Sequence, residues 1–166
     1  MDNRYMKILG IVLTILFSTV ASVHASISMT LDRDLVDFRT MESGQTQTVA
    51  DQGVYHNELT CSSTNNRTWY IKANMIRPLT SGANTIASEN LKWMVVDVIN
   101  GKGIVFNNRN IANPFSFAKG LVYTSDPADN TGTQVKLRFR YILAIPKNQT
   151  AGNYYGSVRW TMTEVL

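Results

Sequence analysis

The stretch QVKLRFRYILAIPKNQTAGNYYGSVRWTMT, residues 134–163, decides the fold class. Val135, Leu137, Phe139, Tyr141, Leu143 and Ile145 alternate with Lys136, Arg138, Arg140, Ile142 and Ala144. A period of two is the mark of a strand, because successive side chains leave opposite faces of the pleat. Pro146 has no N–H to give and ends that ladder. Lys147 to Asn153 is polar and contains glycine, the composition of a turn. A second alternation follows: Tyr154, Gly156, Val158, Trp160 and Met162 on one face, Tyr155, Ser157, Arg159, Thr161 and Thr163 on the other. Two amphipathic strands joined by a short loop read as a hairpin, with Arg159 beside the Lys136, Arg138 and Arg140 stripe.

Outward from this stretch the same period recurs. Ile27, Met29 and Leu31 give a first short strand, and Glu42-Ser43-Gly44-Gln45 a turn. Val54 to Cys61 and Trp69 to Asn74 are further strands; Pro78 to Asn90 reads as loop. Leu91, Trp93 and Val95 alternate again, and Asn100-Gly101-Lys102-Gly103 before Ile104-Val105-Phe106 carries a hairpin signal. Leu121 to Thr124 is a short strand and Ser125 to Thr133 a turn cluster. Beyond the first 25 residues no stretch sustains a 3.6-residue apolar period. Seven to nine short strands spaced by turn residues point to an all-β, antiparallel, Ig-like β-sandwich in one domain, residues 26–166. Its expected core is Trp69, Ile71, Trp93, Val95, Leu137, Phe139, Tyr141, Tyr154, Val158 and Trp160.

Residues 1–25 read separately. Arg4 and Lys7 form a basic start, Ile8 to Val20 an apolar run, and Val23-His24-Ala25 a small-x-small cleavage pattern. This is the layout of a secretory signal peptide. The run of about thirteen residues falls short of the roughly twenty that span a bilayer, so no membrane association is expected after cleavage. Without Asp2, Arg4 and Lys7 the chain keeps fourteen basic and eleven acidic residues, a net charge of +3. The cations are spread out, a pattern of solvated faces, and an exported protein is not expected to meet nucleic acid.

Side chains suited to catalysis are few. After cleavage His56 is the only histidine and Cys61 the only cysteine. A nucleophile–base pair would have to use His56, whose Tyr55-Asn57-Glu58 surroundings have no sharp glycine turn to expose a nucleophile. One His and one Cys do not make a zinc site, and Asp126-Pro127-Ala128-Asp129-Asn130 is ordinary turn composition rather than a calcium loop. The expectation is a non-enzyme without cofactor or metal. Cys61, in phase with Leu59, is expected to be buried and unreactive.

The segment Ala151-Gly152-Asn153-Tyr154-Tyr155-Gly156-Ser157-Val158-Arg159-Trp160-Thr161-Met162-Thr163 resembles the C-terminal strand of bacterial chaperone–usher pilin subunits, in particular the colonisation-factor and spore-coat-U-like branches. Those end in an Ala-Gly-x-Tyr-x-Gly/Asp-x-Val-x-x-x-Met/Val-Thr pattern. The likeness covers about twenty residues. It implies an Ig-like fold that ends at its sixth strand, the missing strand being supplied first by a periplasmic chaperone, then by a neighbouring copy or another pilus subunit, with an usher as a further partner. It implies an acceptor groove floored by Tyr154, Gly156, Val158, Trp160 and Met162, with Ile27, Met29 and Leu31 as the candidate donor strand. On this reading the protein is a structural or adhesive subunit of a surface fimbria, exported through the periplasm. Ser26 to Arg33 is then a free donor arm. As the first strand of a self-complete sandwich it instead implies a secreted module binding a glycan or a protein.

Overall fold

The computed structural model describes residues 26–166, and the segment read as a signal peptide, residues 1–25, lies outside them. The chain is an all-β sandwich of two antiparallel sheets. The strands are β1 (Ile27–Leu31), β2 (Thr46–Val49), β3 (Asn57–Ser63), β4 (Tyr70–Ser81), β5 (Asn84–Ile86), β6 (Leu91–Ile99), β7 (Ile104–Val105), β8 (Asn113–Pro114), β9 (Gly120–Thr124), β10 (Val135–Ala144) and β11 (Tyr155–Thr163). One sheet runs β1-β3-β10-β6-β8, with β2 also on β10; the other runs β11-β4-β9-β7, with β5 on β4.

β10 is the centre of the first sheet. Its alternation from Val135 to Leu143 is reproduced residue by residue, every second side chain buried. Lys136, Arg138 and Arg140 face outward and are engaged there. Glu58 accepts from Lys136 Nζ at 2.7 Å and Arg138 Nε at 2.9 Å, and Arg140 donates to the Val54 carbonyl. Arg138 also lies 4.5 Å over the Tyr55 ring. Between the sheets sit Trp69, Ile71, Met75, Trp93, Val95, Phe115, Val122, Tyr123, Leu137 and Phe139.

Three expectations are corrected. β10 and β11 are not a hairpin: β10 pairs with β2, β3 and β6, whereas β11 pairs with β4 in the opposite sheet. Ten residues separate them, and their apolar faces meet across the core, which two strands of one sheet cannot do. Arg159 is therefore on the other outer face from Lys136, Arg138 and Arg140. Asn100 to Gly103 is likewise a crossover between sheets, since β6 pairs with β10 and β8 while β7 pairs with β9. The Asp129 carboxylate takes the N–H groups of Lys102 at 2.9 Å and Gly103 at 3.1 Å and draws the chain across. Pro78 to Asn90 is not mostly loop: β4 continues to Ser81 and turns into β5. Pro78 is accommodated where the β4–β11 register shifts, a place with no ladder N–H to supply.

Candidate strand-acceptor edge

β11 has β4 on one side only. Its register runs from Tyr155 opposite Thr80 to Thr163 opposite Tyr70, with two irregularities around Ser157. Among the described residues no strand lies on its other side. An edge of this kind presents a row of backbone N–H and C=O groups as a template for another strand.

The core-facing side chains of this edge behave differently from those of β10. Val158, Trp160 and Met162, with Tyr154 just before the strand, pack against the core but are only half-buried. Seven of the ten expected core residues are buried; the other three, Tyr154, Val158 and Trp160, all belong to this edge. Trp160 reaches inward, its ring 4.4 Å from Phe139 and 6.2 Å from Phe115 between centroids. Tyr154 is fixed by its hydroxyl, which donates to the Thr150 carbonyl and accepts from Gln149 Nε2, both at 2.7 Å. Gly156 is required by close approach. A Cβ there would sit 3.0 Å from the Arg77 carbonyl oxygen and 3.2 Å from the Leu79 nitrogen.

The candidate donor lies on the same side of the sandwich. β1 is docked on β3 over five residue pairs, Ile27 with Ser63 through Leu31 with Leu59. Ser28 and Ser62 share a hydroxyl contact of 2.8 Å, and Thr64 N donates to the Ser26 carbonyl. Met29 and Leu31 pack half-buried against the core; Ile27 is 40% exposed. Between β1 and β2 the chain runs extended without a ladder. Side chains hold it instead: Asn57 Nδ2 donates to the Arg33 carbonyl at 3.0 Å and His56 lies 2.8 Å from the Leu35 carbonyl. Val36, Phe38 and Met41 of this strap are half-buried on the core.

His56, the one histidine among the described residues, is 2% exposed. Nε2 has only the Leu35 carbonyl as partner, so it donates there, and Nδ1 faces Asp51 Oδ2 at 3.0 Å. Cys61 is fully buried, and burial pushes its thiol up to about 12.

The Asp126 to Asn130 segment is more than a turn. Asp126 caps a short 3₁₀ turn, Pro127–Asn130, in a reciprocal capping box with Asp129. Asp129 is fully buried and also accepts from Tyr123 Oη at 2.6 Å. Burial and this neighbouring carboxylate push the Tyr123 phenol far above its ordinary value. Nothing in the turn composition separates such a residue from a solvated aspartate; only its partners Lys102, Gly103 and Tyr123, outside the turn, do.

No protein-family model matches the chain, and no curated protein matches it.

Proposed function

We propose that the chain is a structural or adhesive subunit of a bacterial surface fimbria, assembled by accepting a strand along β11. The observation that carries this reading is the pairing of two features on one strand. Among the described residues β11 has an unpaired backbone edge, and its core-phase side chains Val158, Trp160 and Met162 are only half-covered. A strand added there joins its backbone to β11 and lays alternate side chains over that half-covered row. The C-terminal sequence pattern supports the same reading. A periplasmic chaperone, an usher and neighbouring subunits are the implied partners, and export followed by display on the cell surface the implied route.

A second reading has its own support. β1 is docked in its own sandwich rather than free. That favours a self-complete secreted sandwich that binds a glycan or a protein.

A reversible cross-link separates the two. Ser28 and Ser62 face each other in register with touching hydroxyls, a geometry that suits a disulfide. In a Cys61→Ala background, Ser28→Cys with Ser62→Cys locks β1 to its own β3 when oxidised. If β1 is the donor, the oxidised protein fails to polymerise with its chaperone and usher, and reduction restores assembly. Polymer formed in both states would move the donor elsewhere and leave β11 as acceptor. A wild type that stays monomeric under assembly conditions, and binds no strand peptide at β11, would leave the binding module as the function.

A further inference from the structure

The two outer faces of the sandwich differ in how their charges are used. On the face of the first sheet, Lys136 and Arg138 share Glu58, and Arg138 also reaches Asp97 at 3.5 Å. On the face of the second sheet, Lys72, Arg77 and Arg159 make no ion pair among the described residues, and neither does Lys119 in the adjoining loop. No carboxylate lies on the paired strands β4, β9 and β11 of this face. The nearest in sequence are already engaged beyond the strand ends. Glu164 pairs with Arg67 at 3.6 Å and also takes Asn65, and Asp126 caps the 3₁₀ turn.

Register fixes how these cations are arrayed. Lys72 is opposite Thr161, Asn74 opposite Arg159, and Arg77 opposite Ser157. Residues 72 and 159 are therefore diagonal neighbours across one strand pair, roughly 7–8 Å between Cα atoms, and Arg77 follows Arg159 across the bulge at Ser157. Arg77 and Arg159 are exposed, and the half-buried Lys72 is steadied by a 3.2 Å bond from Nζ to the Val165 carbonyl. Thr161 lies opposite Lys72 with its hydroxyl; Asn74 spends its Nδ2 on the Met75 and Phe117 carbonyls, and Ile76, 48% exposed, lies next to Arg77.

We propose that this face of β4 and β11 is a binding surface for an acidic polysaccharide. The zigzag presents three positive charges in succession along one strand pair, the last of them beyond the bulge at Ser157 and beside the exposed Ile76. A linear polymer with carboxylate or sulfate groups recurring along it matches such a track, whereas a single small anion would need the charges to converge. The inference does not depend on the fibre reading, because it uses the face of β11 and not its edge.

The test compares two variants of the full mature chain with equal net charge. One removes the track, Lys72→Gln with Arg77→Gln and Arg159→Gln. The other removes three unpaired cations elsewhere, Lys92→Gln with Lys102→Gln and Lys147→Gln. Affinity is measured for heparin, polygalacturonate, neutral dextran and duplex DNA at matched charge concentration. The proposal expects binding to heparin and polygalacturonate but not dextran, weakened about tenfold or more in the track variant and far less in the control, and falling with salt. Equal losses in both variants would show a net-charge effect only and overturn it. So would no binding to either acidic polysaccharide, or tighter binding to DNA. Should the triple variant lose its fold, Arg159→Gln alone, at an exposed position, carries the same comparison.

Discussion

Trp160 on β11 and Phe139 on β10 meet with ring centroids 4.4 Å apart, the closest aromatic approach in the core. Their strands are neighbours in sequence but belong to different sheets, so this contact spans the sandwich rather than one ladder. It ties a half-covered edge strand to the best-packed strand of the fold. Replacing Trp160 by alanine should cost about 2–3 kcal/mol, below the usual range for a fully buried aromatic because the ring is partly exposed already. Urea unfolding checks this. A bound donor strand that covers the ring should also shift its fluorescence to shorter wavelength, which a strand docking elsewhere would not do.

Gly156 offers a sharper test of the edge geometry. A methyl group there meets the Arg77 carbonyl and Leu79 nitrogen, both backbone atoms that cannot rotate away. Gly156→Ala should lower stability by roughly 1–2 kcal/mol through overpacking. A neutral result by thermal melting would mean that the β4 bulge has freedom this geometry does not suggest.

The Asp129 knot joins three separated pieces of chain. Asp129→Ala leaves the N–H groups of Lys102 and Asp126 and the Tyr123 hydroxyl without their acceptor, while the Gly103 N–H keeps the Tyr123 oxygen at 2.8 Å, a loss of about 2–4 kcal/mol. Gly103→Ala should be at least as damaging, because its Cβ would overlap the Thr124 carbonyl. Both are read by denaturant midpoint. If Asp129→Ala melts like the wild type, the crossover is held by something other than this carboxylate.

Alkaline pH should destabilise the fold, with a definite sign. The Cys61 thiol rises from an ordinary 9.0 to about 12 on folding, because burial penalises the thiolate. A group raised in the folded state contributes full stability below its unfolded value and loses it as pH climbs toward the folded one. Between pH 9 and about 12 the wild type should therefore lose more stability than Cys61→Ala. Tyr123 and Tyr141, both raised chiefly by burial, add losses in the same direction higher up. At neutral pH Cys61 should resist thiol reagents until denaturant is added; rapid labelling of the folded protein would contradict its burial.

At the acid end the sign reverses. Burial alone would raise the Glu58 carboxyl, but hydrogen bonds and charge from Lys136 and Arg138 outweigh it and hold the group below its ordinary 4.5. Its contribution is present above that value and fades as pH falls through the folded one. Glu58→Gln should thus cost on the order of 1 kcal/mol near neutrality, less at high salt, and nothing at low pH. A cost independent of pH would point to packing instead.

Local pattern carried the strand phases. From Val135 to Leu143 each residue's side is set by its neighbours two positions away, information contained in the stretch itself. Partnership was not legible in the same way. The Lys147 to Asn153 turn is compatible with a hairpin and with a sheet-to-sheet crossing, and the choice falls to tertiary contacts such as Phe139 with Trp160. The Asn100-Gly101 signal failed similarly, because Asp129, 28 and 29 positions on, provides a stronger partner than a two-residue turn. The half-coverage of Val158 and Trp160 was hidden as well. Alternation reports which face turns inward, not whether another strand lies over it.

The position of β10 has a consequence for the order in which this chain acquires structure. The central strand of the first sheet follows all of its partners in the chain, and Lys136 pairs with Thr60, 76 positions earlier. Until residues 135–144 emerge, β3 and β6 have nothing between them, and β2 has no partner at all. The pieces of the first sheet must wait for their common partner, and closure of such long loops makes the final collapse slow and late. A chain stalled before Val135 can pair β4 with β5 and β9, and β1 with β3, but it cannot join β3 to β6 or hold β2.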